Sequence, residues 1–70
     1  MITQRDIRFA KRLKRTRKNA GLTQEQLADK TRLSVTFIGL LETAQRRPSL
    51  KSLQKIASAL KIKAKNLLPF

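Results

Sequence analysis

The 70-residue chain contains no cysteine and no histidine, and its aromatic residues are three phenylalanines, Phe9, Phe37 and Phe70. Without cysteine there is no disulfide framework, zinc ribbon or thiolate nucleophile. Without histidine, the commonest metal ligand and the commonest general base near neutral pH are both missing. Acids are scarce as well: Asp6, Glu25, Asp29 and Glu42 complete the set, and their spacing forms no metal-ligand cluster. Gly21 and Gly39 are the two glycines, too far apart for a Gly-rich phosphate loop. The chain therefore reads as a non-enzyme that carries no cofactor and no metal. Long hydrophobic runs are also lacking. The most apolar stretch, Val35 to Leu41, is far short of the roughly 20 residues a membrane-spanning helix needs. Charges interrupt the first twenty residues too often for a signal-peptide core. A cytoplasmic protein with no membrane partner is expected.

What the chain has in abundance is positive charge: 17 Lys and Arg against 4 acids, a formal net of +13. A compact chain with that charge repels itself, and the usual reason for it to persist is a polyanionic partner. At this length a single domain over residues 1–70 is expected. A domain so small buries only roughly 60% of its unfolded surface, which argues against a large substrate cavity. Leu, Lys, Arg, Ala and Gln dominate and no period-2 alternation is sustained, so the fold class is all-α.

Four helices can be placed by their caps. Thr3 with Asp6 opens the first, which runs to about Asn19 and stops at Ala20-Gly21. Thr23 with Gln26 opens the second, Gln24 to Thr31, and Ser34 opens the third, Val35 to about Thr43. Two short helices joined by so brief a turn make a helix-turn-helix candidate over residues 24–43. Ser49 caps a fourth helix whose apolar stripe is Leu50, Leu53, Ile56, Ala57 and Leu60, and a last short turn is allowed before Pro69. On a wheel of 3.6 residues per turn, centring Ile38 on the core puts Leu41 and Glu42 within about 60° of it. Thr36, Leu40 and Thr43 then face outward beside Gly39. That face is small and uncharged, in a chain whose other exposed faces are basic.

The run Gly21-Leu22-Thr23-Gln24-Glu25-Gln26-Leu27-Ala28, followed by Leu33-Ser34-Val35-Thr36-Phe37-Ile38 and Leu41-Glu42, resembles the Cro/cI-type helix-turn-helix family. This xenobiotic-response-element family includes phage repressors and restriction–modification controller proteins. The resemblance extends forward through Arg47-Pro48-Ser49-Leu50, Leu53, Ile56-Ala57 and Leu60, and back to Phe9, Leu13 and Arg17. It implies a compact four-to-five-helix, lambda-repressor-like bundle. It also implies a small transcriptional regulator of repressor type that binds double-stranded DNA. Two departures stand out: Arg32 and Ala44 occupy positions where the family commonly has glycine. A non-glycine residue in such a turn costs about 1 kcal/mol or more, so some strain or an altered turn is expected.

Carried over by position, the resemblance implies that the third helix, 35–43, enters the major groove. Val35, Thr36, Gly39 and Leu40 would lie nearest the base edges. Their methyl groups and one hydroxyl suit thymine C5-methyl contacts and readout of DNA shape, although Val35 could instead be half core and Leu40 a protein contact. Thr23 and Gln24 at the second helix's N-terminus, with Arg46 and Arg47 in the following loop, would contact phosphates. Arg17 and Glu42 would form a buried structural ion pair. Leu67, Leu68 and Phe70 suggest a homodimer interface that would set two reading helices about 34 Å apart on a palindromic site; the alternative is that Leu67 closes the monomer core. The competing function is an antitoxin that binds a toxin protein and autoregulates its promoter, because such proteins share the fold. An RNA-binding role fits poorly with so few stacking aromatics.

Overall fold

Every helix in the computed structural model, which describes residues 2–68, begins on a hydroxyl side chain. Helix α1 spans Gln4–Asn19, α2 Gln24–Thr31, α3 Val35–Glu42 and α4 Leu50–Ala59, and a single 3₁₀ turn follows at Ala64–Asn66. Thr3, Thr23, Ser34 and Ser49 each accept the N–H three residues on, at 3.0–3.2 Å. Asp6 and Gln26 reciprocate, accepting the N–H of Thr3 at 2.9 Å and of Thr23 at 2.8 Å. Both halves of the capping box are thus closed at α1 and α2, satisfying donors that a helix start otherwise leaves open. The closing turn falls at residues 64–66, slightly ahead of the last turn expected before Pro69.

The helices also end alike. Leu22, Leu33, Gln45 and Ile62 each send their N–H back five residues, to the carbonyls of Arg17, Ala28, Leu40 and Ala57 at 2.9–3.2 Å. That bond requires the preceding residue to be left-handed. Gly21 meets the requirement at no steric cost, with φ of 74°; Arg32, Ala44 and Lys61 meet it with φ of 59°, 63° and 58°. The turn missing its glycine therefore keeps its ordinary shape and carries the strain. Arg32→Gly, Ala44→Gly and Lys61→Gly should each raise the unfolding free energy in urea by about 0.5–1 kcal/mol after glycine's greater unfolded-state freedom is deducted. A triple variant no more stable than the parent would refute this account of the helix ends.

The core takes a fully buried side chain from every segment: Leu13, Leu27, Ile38, Leu41, Ile56 and Leu67. Phe9, Ala28, Leu53, Ala57 and Leu60 complete it. Helix α3 packs on α1 and α2, α4 packs on α2, and the 3₁₀ turn packs on α4. The result is an all-α body of 28 × 23 × 21 Å.

Two expectations are corrected. Leu67, considered for a dimer interface, has 0% exposure. The chain bends at left-handed Lys61, and the 3₁₀ turn drives Leu67 into the end of the core beside α4. Leu68 is half-buried, and its carbonyl accepts from Arg12 Nη1 at 2.8 Å, which ties this end of the chain to α1. Phe70 lies outside the described residues. Leu50, placed on the buried stripe of α4, is 70% exposed: as the first residue of the helix, it overhangs the core rather than facing it.

Candidate nucleic-acid interface

Helix α3 is anchored from behind. Ile38 and Leu41 are wholly buried, and Glu42 closes the same face with its carboxylate. Arg17 donates to that carboxylate twice, Nε to Oε2 at 2.6 Å and Nη2 to Oε1 at 3.0 Å, and its Nη1 donates to the Leu22 carbonyl at 2.7 Å. The Gln24 amide adds a third donor to Glu42, at 3.1 Å to Oε1. A guanidinium on α1, an amide on α2 and a carboxylate on α3 thus lock three helices together in a buried network. A network of this kind favours one arrangement because each alternative would strand a charge.

With its back held, α3 presents the outward face. Val35 is 43% exposed, Thr36 and Thr43 are exposed, and Gly39 and Leu40 are half-buried. Thr43 Oγ1 donates to the Gly39 carbonyl at 3.0 Å and accepts the Gln45 amide at 2.9 Å, so what Thr43 offers a partner is largely its methyl group. A β-carbon built on Gly39 would come no nearer to another group than 3.9 Å, to Gln24 Oε1. The glycine here keeps the surface low rather than relieving a clash.

Thr36 and Leu40 share an open groove of about 450 Å³ with Arg32, Leu33, Ser34, Phe37 and Arg46. The Arg46 guanidinium sits 5.7 Å from the centre of the Phe37 ring, within reach of a cation–π attraction that holds the arginine at the rim of the groove. Arg32 and Phe37 belong to this surface, although the sequence marks Arg32 only as a strained turn and assigns Phe37 no role. An arginine where a turn prefers glycine was the one signal present for Arg32. Nothing local links Phe37 to Arg46.

The expected phosphate contacts divide. Gln24 is half-buried and its amide spends one of its two N–H groups on Glu42, which leaves the second and the backbone N–H for a phosphate. The Thr23 hydroxyl accepts from Gln26, and its N–H donates to the Gln26 side chain. These two residues order the α2 N-terminus, whose leading N–H groups have no acceptor within the helix. Arg47 is 65% exposed but grips Asp6: Nε donates to Oδ1 at 3.1 Å and Nη2 to Oδ2 at 3.1 Å. The loop after α3 is thereby clipped to the first turn of α1.

The Thr3 N–H foremost, then the Arg47 guanidinium, hold the Asp6 carboxyl below its usual pKa. A carboxyl lowered by folding contributes stability above its unfolded value and loses it as pH falls through the folded one. Asp6→Asn should therefore melt below the parent at neutral pH. The gap should close as both are acidified below about pH 4, and thermal melts across that range would show it. A gap unchanged at low pH would exclude the ionised clip.

Comparison with known proteins agrees with this fold. The helix-turn-helix family model HTH_3 matches residues 13–66. The immunity repressor protein of Bacillus phage phi105 is 43% identical over 51 residues, covering 73% of this chain and 35% of the repressor. The chain thus spans about a third of that relative's length. Among solved structures, the restriction-modification controller protein C.AhdI from Aeromonas hydrophila superposes with a TM-score of 0.88 at 36% identity, over 90% of this chain and 96% of that one. An HTH_3 family transcriptional regulator from Vibrio cholerae gives 0.84 at 30% identity, over 90% of this chain and 35% of that one. The chain belongs to the Cro/cI-type helix-turn-helix family of DNA-binding transcription regulators.

Proposed function

We propose that the chain acts as one DNA-binding domain, a repressor that reads operator DNA by laying the outward face of α3 in the major groove. The observation that carries this reading is the composition of that face: Val35, Thr36 and Leu40 are uncharged and accessible, while Arg32 and Arg46 stand at the edge of the same groove. Methyl groups and a hydroxyl contact base edges, thymine methyls above all, and cations at the rim meet phosphates. Backbone N–H groups at the start of α2 add a phosphate contact from the adjoining helix. On a palindromic operator two copies would bind as a twofold dimer. With Leu67 in the core, the apolar surface left for that contact includes Leu68 and the exposed Leu50, which share a groove of about 200 Å³ with Phe9 and Leu53.

Selection from a random duplex pool near physiological salt should return a defined site. On that site, a Thr36→Ala/Leu40→Ala variant should bind about tenfold or more weakly and flatten the base preference, in line with the about 1–3 kcal/mol that one misread base pair usually costs. Arg46→Ala should instead weaken all sequences alike and reduce the slope of log K against log salt by about 0.9. A double variant with unchanged affinity and preference would remove α3 from the groove.

A further inference from the structure

Helix α1 carries a second basic surface that the reading face does not use. Lys11, Lys14, Arg15 and Lys18 are exposed and, with Asn19, line one shallow depression of about 360 Å³. Each of these cations lies three or four residues from two of the others, spacings at which like charges oppose helix formation. No acid follows Asp6 on α1, and Asp6 is held at the far end of the helix by Thr3 and Arg47. Lys18, in the last turn, complements the helix dipole, but the mutual repulsion of the four is not offset within the helix and would be relieved by an external anion.

The reading duplex cannot supply that anion. Helices α1 and α3 pack on each other: Phe9, Leu13 and Arg17 are the buried side of α1, Ile38, Leu41 and Glu42 the buried side of α3, and Arg17 pairs with Glu42 between them. Their solvent faces are therefore turned apart. Two packed helices measure about 20 Å from outer surface to outer surface, more than twice the Debye length of about 8 Å at physiological salt. Charges on the outer face of α1 are screened from a duplex seated on α3. Among the described residues the α1 surface also has no exposed aromatic on which unpaired bases could stack, and its cationic groups suit the regular phosphates of a duplex instead.

We propose that the outer face of α1 binds the backbone of a second DNA duplex, so that one copy bridges two DNA segments. This rests on the α3 reading, and the two can be tested separately. The full chain is bound to the selected operator duplex on beads, and capture of a second, labelled duplex of unrelated sequence is measured alongside affinity for the first. The probe variant is Lys11→Gln/Arg15→Gln/Lys18→Gln, whose exposed positions leave the core intact, with circular dichroism as the check on folding. Capture should fall about tenfold or more and its salt slope by about 2–3, while affinity for the single duplex changes less than about threefold. Undiminished capture by the variant, as a dimer bridging through two α3 faces would give, overturns the proposal. Preferential capture of labelled RNA overturns it too, as does a parallel loss of single-duplex affinity. Binding to the first duplex without capture of a second refutes bridging alone; no duplex binding at all refutes the α3 reading with it.

Discussion

Glu42→Ala should remove about 3–5 kcal/mol of folding stability, the usual cost of stranding one member of a buried ion pair. In a 70-residue domain, total stability is roughly 4–10 kcal/mol, so the variant should range from weakened to largely unfolded at room temperature. The cost is high because of what remains. Arg17 would keep the Leu22 carbonyl but lose both donations to the carboxylate, and Gln24 would lose its acceptor as well. Replacing both partners by apolar groups, as in Arg17→Met/Glu42→Leu, should restore most of the loss, because it leaves no buried charge behind. Urea unfolding followed by circular dichroism reads all three forms. A Glu42→Ala unfolding free energy within about 1 kcal/mol of the parent would show that the network contributes little. DNA affinity should follow the folded fraction, since the same network fixes α3 against α1 and α2.

How much of this was visible in the sequence depends on the range of each interaction. The caps were, because Thr3-Asp6, Thr23-Gln26 and the lone Ser34 and Ser49 declare themselves within one helical turn. The strained turns were partly visible, since Arg32 and Ala44 stand where a left-handed residue is needed; Lys61, in the same position after α4, went unremarked. The Arg17–Glu42 pair spans 25 positions and entered only through family resemblance. Arg47–Asp6 spans 41 positions and joins two exposed segments with no periodicity to link them. Phe37 and Arg46 meet only because the loop after α3 folds back over that helix. Local chemistry fixes where helices start and stop. Which surface side chains meet is decided by tertiary geometry, and the candidate site depends on that.

Leu67→Ala should destabilise the protein by about 2–5 kcal/mol, the range for truncating a fully buried leucine. Adjacent leucines near a chain end look alike in sequence, yet Leu67 has 0% exposure and Leu68 is only half-buried. In the 3₁₀ turn that precedes them, successive side chains point about 120° apart, so one leucine of the pair enters the core and the other is left at its edge. Two origins of a Leu67 effect can be separated by dilution. A residue at a dimer interface stabilises through mass action, so its loss changes a midpoint that already depends on protein concentration. A core residue acts within one chain, and its loss is the same at every concentration. The Leu67→Ala deficit should therefore hold across a hundredfold dilution series, and Leu68→Ala should cost less. If the deficit vanished on dilution to monomer, Leu67 would belong to the interface after all. If it persists, any twofold contact would fall on surface that Leu67 does not reach, where Leu68, Leu50 and Phe9 line one apolar groove.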